Sequence, residues 1–178
     1  QQLPRLAAGT ALSESPRTGQ PRIYAAVSTF WMHEAYQLDH GRLSRFVAAY
    51  QQVSSLTIGE LWAVPTMLRL VLLETLARVV GQVDRRTNDM GGMTDSTTAS
   101  DPLTGLSDND VVANCIISLR RLNGQDWNRF FEGVSLVQQI LSQDPARIYD
   151  RMDFASRDRY RGEIEILARA TGLDETIV

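Results

Sequence analysis

Leu56 to Leu76 is largely apolar, yet between positions 60 and 69 it holds a Glu, a Trp, a Pro and an Arg. No other part of the chain constrains the fold as strongly. Its apolar residues recur at the three-to-four spacing of a helix. Thr57 and Glu60, three positions apart, make a capping box in which hydroxyl and carboxylate each satisfy an otherwise orphaned amide of the first turn. A long helix is therefore predicted to start at Ile58. Pro65 falls inside it, where the missing N–H and the ring clash cost about 3 kcal/mol and are expected to kink the helix near Leu61. The pattern resumes through Leu76 and fades near Val80.

The flanking sequence is read in the same way. Residues 1–21, with Pro4, Gly9, Pro16, Gly19 and Pro21, have the composition of an extended lead-in. Apolar spacing predicts a helix over Ile23 to Leu38 with Asp39-His40-Gly41 as its stop, and a second from Leu43 to about Val53. From Gly81 to Asp108 the run is polar and rich in Gly, Ser and Thr. That is longer than the roughly 12–15 residues usual for a loop in a compact domain, so it is expected to be a flexible linker. Helices are then predicted over Asp108 to Leu122, Asp126 to Ser142, and Asp153 to about Ala170. Asp144-Pro145 opens a short turn between the last two.

No segment alternates with a period of two, so the expected fold is all-α: an irregular bundle of about five to six helices with a long polar loop near 81–108. The expected organisation is the lead-in and then one helical domain over 22–178. That domain divides into a first half (22–80), the loop (81–108) and a second half (109–178). At 178 residues and 43% hydrophobic the chain can bury a proper core. No targeting signal is visible, and Arg69 and Glu74 interrupt the most apolar window, Leu61 to Leu76. A membrane span needs about 20 consecutive apolar residues.

A net charge of −3 and a pI near 5.4 give no long-range pull on nucleic acid, so no nucleic-acid partner is expected. All 18 basic residues are Arg, the side chain suited to bidentate pairing. The lone cysteine, Cys115, lies in the apolar run Val111 to Leu119 and reads as a small buried hydrophobe, which suits a reducing compartment.

Charged groups on an apolar helix must be paired or face a polar cavity. Glu60 is accounted for by its cap, whereas Arg69 is expected to be buried and paired with Glu74 or Glu132. Trp62 serves either as core packing or as a platform for a sugar ring. Arg157, Arg159 and Arg161, with Arg147 and Arg151 before them, interleave with Asp150, Asp153, Asp158 and Glu163. The expected i,i+4 pairs Arg159–Glu163 and Glu165–Arg169 make this a self-paired solvated face. The alternative is a docking surface for another domain or for lipid headgroups. His33 and His40 have no third ligand nearby, so no metal site is expected. There is no nucleophile elbow, no phosphate-binding loop and no catalytic constellation.

Three stretches carry a family resemblance. They are Glu60-Leu61-Trp62-Ala63 with Pro65 and Met67-Leu68-Arg69-Leu70; Asn114 to Arg121, including Ser118-Leu119-Arg120; and Met152-Asp153-Phe154-Ala155 with Arg157-Asp158-Arg159-Tyr160-Arg161. Asp126-Trp127 and Phe130-Phe131-Glu132 add to them. With these residues the chain, from about Ile23 to Thr171, resembles the N-terminal helical region of the bacterial cyclic β-1,2-glucan synthases. The resemblance implies a non-catalytic module on the cytoplasmic face of the inner membrane, a scaffold or docking element for a UDP-glucose-dependent transferase. Its implied partners are the remainder of the synthase chain, with its transferase and membrane domains, and a membrane surface.

UDP-glucose and a divalent metal are implied for the full enzyme, and no cofactor for this chain. Glu60, Trp62, Arg69, Arg120, Arg157, Arg159, Tyr160 and Arg161 are the docking candidates; no catalytic or metal-binding residue is carried over. Relatives have a longer, partly helical insertion where this chain has Gly81 to Asp108. A stand-alone helical interaction module is the alternative reading. An isolated sugar-processing enzyme is disfavoured, because the chain lacks the carboxylate pair that such chemistry needs.

Overall fold

The computed structural model describes residues 20–89 and 105–178. Seven α-helices and one 3-10 turn make up the described residues, with no β-strand among them: α1 (Arg22–His33), α2 (His40–Gln51), α3 (Ile58–Asp89), α4 (Asp108–Asn123), α5 (Trp127–Val134), α6 (Leu136–Leu141), the 3-10 turn Tyr149–Arg151, and α7 (Phe154–Thr171). The fold is all-α, as the periodicity predicts, with one helix more than the five to six expected.

α3 is the axis of the bundle. It packs against α1, α4 and α5, while α2 pairs with α5. Leu61, Val64, Leu68, Leu72 and Val79 line its buried side at the three-to-four spacing that defines one helical face. They join a single core with Val27 and Trp31 of α1, Leu43 of α2, Val111, Cys115 and Leu122 of α4, and Phe131 of α5. Residues from both expected halves therefore share one core. The Trp31 indole is fully enclosed, and its N–H donates to the Leu68 carbonyl at 3.2 Å. That contact meets the hydrogen-bonding need of a buried Trp.

The capping box forms as read: the Thr57 N–H donates to Glu60 Oε2 at 2.9 Å and the Glu60 N–H to Thr57 Oγ1 at 3.2 Å. α3 runs on across buried Pro65 and past Gly81 to Asp89, so the predicted end near Val80 is too early. A glycine inside a helix costs only about 1 kcal/mol, and Gln82 to Arg85 are residues that a helix accepts. Of the expected loop 81–108, the segment 81–89 is helical and 90–104 lies outside the described residues. So do residues 1–19 of the expected lead-in.

α1 stops at His33, five residues before the predicted Leu38. It closes with the hydrogen bonds Tyr36 N–H to Trp31 C=O (2.9 Å) and Ala35 N–H to Met32 C=O (3.4 Å), the Schellman arrangement. Ala35 and Tyr36 adopt φ of +49° and +60°. Side chains tolerate this left-handed region at a cost of about 1–2 kcal/mol per residue, and α4 supplies the compensation. Asn114 Nδ2 donates to the Ala35 carbonyl (3.0 Å) and Ser118 Oγ to the Tyr36 carbonyl (2.7 Å). The Leu38 N–H donates to Ser118 Oγ (2.9 Å), and Arg121 Nη1 to the Leu38 carbonyl (3.0 Å). Asp39-His40-Gly41 is consequently a start rather than a stop. Asp39 caps α2 by accepting from the Arg42 N–H at 2.7 Å, and α2 ends at Gln51 rather than Val53.

The predicted helix Asp126 to Ser142 is two helices. Fully buried Ser135 leaves the helical conformation (ψ 121°), and its hydroxyl caps α6 at the Gln138 N–H. Gln51 Nε2 takes up the Val134 carbonyl at the end of α5 (2.8 Å). Asp144 accepts from the N–H groups of Ala146, Ile148 and Tyr149, which builds the predicted short turn. α7 opens on the Asp153 cap and closes at Gly172, whose φ of +70° is cheap only for glycine.

Candidate functional site

Of the residues singled out by the sequence, Trp62, Arg157 and Arg161 come together where α3, α5, α6 and α7 meet. Arg161 is at the centre and its side chain is 0% exposed. Its Nη1 donates to Gln138 Oε1 at 2.9 Å and its Nη2 to Asp158 Oδ1 at 3.1 Å. Tyr149, from the 3-10 turn, donates its hydroxyl to the same Gln138 oxygen at 2.7 Å. The guanidinium lies over two rings, 5.0 Å from the Phe131 centroid and 4.8 Å from that of Phe154. A desolvated cation is stabilised by such ring faces. Glu132 Oε1 lies 2.8 Å from Arg157 Nη2 and 3.7 Å from Arg161 Nη1. These are ion-pair contacts without the alignment of a hydrogen bond. Burial pushes the Tyr149 phenol above its ordinary range, and Arg161 only partly counters this, so the hydroxyl stays a neutral donor.

α7 is thus not the self-paired solvated face expected of it. Phe154, Arg157, Arg161, Ile164 and Ala168 fall at helical spacing on its inner side. Of the two predicted i,i+4 pairs, Glu165–Arg169 forms; Arg159 makes no ion pair among the described residues and is exposed. Tyr160 is half exposed, with its ring edge-on to Tyr149 at 6.4 Å. Arg120 is exposed on α4. Gln138 and Tyr149 escaped the sequence reading, although the stripe Phe154-Arg157-Arg161-Ile164 already pointed Arg161 inward.

Trp62 lies flat on Phe131, with centroids 4.6 Å apart and planes 11° apart, and meets Phe154 edge-on at 6.1 Å. Core packing takes up this ring. Glu60 does more than cap α3. Arg22 forms a fork on its carboxylate while also donating to Ser54 Oγ (2.7 Å) and the Ser55 carbonyl (2.6 Å). Burial alone would raise the Glu60 pKa, but Arg22 and Thr57 together hold it below the usual carboxylate value.

Arg69 departs from expectation. Glu74 receives the Tyr24 hydroxyl and Glu132 belongs to Arg157 and Arg161, so neither carboxylate pairs with Arg69. Its contact is Nη2 to Asn123 Oδ1 at 3.5 Å, on a half-buried side chain. Its position, on the flank of α3 facing the end of α4, explains this, since the buried carboxylates lie elsewhere. Arg69→Met is accordingly expected to shift stability by no more than the roughly 0–1 kcal/mol of a solvated contact, read by urea denaturation. A loss of 3 kcal/mol would show a buried partner.

Among the described residues no group of three or more His, Cys, Asp or Glu could hold a metal ion, and no helix is long and apolar enough to cross a membrane. Cys115 is buried.

No family model matches the chain. It is 27% identical over 219 residues to the cyclic β-(1,2)-glucan synthase NdvB of Rhizobium meliloti (strain 1021). This chain resembles part of a cyclic β-(1,2)-glucan synthase. The match takes in 87% of the chain but only 8% of the synthase, so the likeness is to one piece of a much larger protein. It also spans more positions than the 178 residues of this chain, so the synthase carries residues here that this chain lacks.

Proposed function

We propose that the chain is a non-catalytic, cytoplasmic N-terminal module of a cyclic β-1,2-glucan synthase, acting as a scaffold or docking element for its UDP-glucose-dependent transferase. The observation that carries this reading is the engagement of Arg161, Arg157, Glu132 and Trp62 with one another and with Gln138, Tyr149 and the Phe rings. Groups held so tightly by their neighbours position helices. They offer no nucleophile–base pair. Asn114, Ser118 and Arg121 of the second stretch are likewise occupied with the backbone of residues 35–38, while Arg120 is exposed. UDP-glucose and the divalent metal belong, on this reading, to the rest of the synthase.

Two measurements test the proposal. The purified chain incubated with labelled UDP-glucose and magnesium or manganese is expected to form no glucan, whereas a membrane preparation of the synthase does. Expressed separately, the chain is expected to co-purify with a synthase from which this region has been removed. Glucan made by the chain alone would overturn the non-catalytic reading, and failure to co-purify would overturn the docking role.

A further inference from the structure

We propose that the open groove between the start of α3, the end of α7 and the segment after it is a docking site for a cationic amphipathic helix. The groove has a volume of about 480 Å³, and Ile23, Leu56, Ala63, Met67, Ala168 and Leu173 give it an apolar lining. Four carboxylates, Glu60, Glu165, Asp174 and Glu175, stand on its rim. The cations beside them are Arg22, which is held by Glu60, Ser54 and Ser55, and Arg169, which pairs with Glu165 and is 75% exposed. Among the described residues the rim therefore keeps an excess of negative charge over an apolar floor.

The segment after α7 is tied in place, so the groove has fixed walls. Ser55 Oγ donates to Asp174 Oδ2 at 2.7 Å, and the Ile58 N–H at the head of α3 donates to Glu175 Oε2 at 2.7 Å. Charge complementarity selects the occupant. A helix in a groove is held by apolar side chains at i, i+3, i+4 and i+7, and arginines flanking that stripe would meet the charge left over once Arg22 and Arg169 are counted, chiefly that of Asp174 and Glu175. The state of Glu175 agrees with this. Burial raises its pKa, and Glu165, Asp174 and Glu60 raise it further against the pull of the Ile58 N–H, a repulsion that an incoming cation relieves. Anionic lipid headgroups would be repelled by the same rim.

The proposal deepens the docking reading by naming the partner's chemistry, and it is tested separately from co-purification. The probe is a synthetic helix with leucine on one face and arginine flanking it, set against a copy with glutamate in place of arginine. Both are titrated into the full chain and followed by fluorescence anisotropy and amide chemical shifts. The arginine peptide is expected to bind at least tenfold tighter than the glutamate one, with shifts at Gly59, Ala63 and Leu173. The double variant Glu165→Gln with Glu175→Gln is expected to weaken it about tenfold, less at high salt. Ala63→Phe, checked for folding by circular dichroism, is expected to abolish binding.

Equal binding of the two peptides, or binding unaffected by both variants, overturns the proposal. So does a peptide that binds only after residues 1–19 are deleted, since the chain would then fill its own groove. Either failure leaves the co-purification result standing.

Discussion

Replacing Arg161 with alanine is expected to lower the stability of the chain by about 3–5 kcal/mol, the usual cost of breaking a buried ion pair from one side. In a domain of this size that is a fall in Tm on the order of 10 °C. The loss has identifiable parts. Gln138 Oε1 and Asp158 Oδ1 each lose a charge-assisted donor, and Phe131 and Phe154 lose the cation between them. Arg161→Lys is expected to recover little, because an ammonium can neither reach Gln138 and Asp158 together nor lie flat between two rings. Arg159→Ala, two positions away on the exposed side of α7, is expected to leave the unfolding curve unchanged. Thermal and urea unfolding of the three variants decide the matter, and an unchanged Arg161→Ala curve would mean that the guanidinium is not enclosed.

The second large effect is expected at Trp62. Its indole covers Phe131 and abuts Phe154, so Trp62→Ala should cost about 3 kcal/mol, the low end for emptying a large aromatic site because the ring is only partly buried. Trp62→Phe keeps a ring against Phe131 and should recover most of the loss. Added cyclic β-1,2-glucan should raise the Tm of neither the parent chain nor the variants. A rise in the parent chain that disappears in Trp62→Ala would make this ring a sugar platform instead.

Local chemistry made much of this fold readable. The Thr57–Glu60 box, the Asp153 cap and the Gly172 terminus are decided by neighbours within a few positions; the box forms as read, and α7 lies within a residue or so of its predicted span. The errors arose where distant residues override local preference. Glu34, Ala35 and Tyr36 continue an acceptable helical pattern, and nothing near them announces a left-handed cap. The cap exists because Asn114 and Ser118, some 80 positions on, satisfy its carbonyls. Ser135 reads as an ordinary member of an amphipathic run, and the break becomes visible only with Gln51 holding the Val134 carbonyl.

The candidate site was legible to the same extent. Glu60 and Trp62 stand out because a charge or an indole within an apolar pattern demands a partner, whereas Arg157 and Arg161 stand out only through the family resemblance, their acid-rich surroundings reading as a solvated face. The identity of the partners was not legible. Gln138 and Tyr149 reach Arg161 across 23 and 12 positions, and no spacing rule connects them. Arg69 is the converse case: its neighbours in sequence are apolar, but its side chain lies on a half-open flank of α3.

The grip of α4 on residues 35–38 bears on how far such a chain can be divided. Four hydrogen bonds cross from Asn114, Ser118 and Arg121 to one short turn, and each group stranded by their loss would cost roughly 1–3 kcal/mol. A fragment ending before α4 would have to carry that turn with its strained φ angles and no compensation. The helices on either side of residues 90–104 are therefore expected to fold as one unit and not separately. Neither stretch can be exchanged for a foreign one without rebuilding the other.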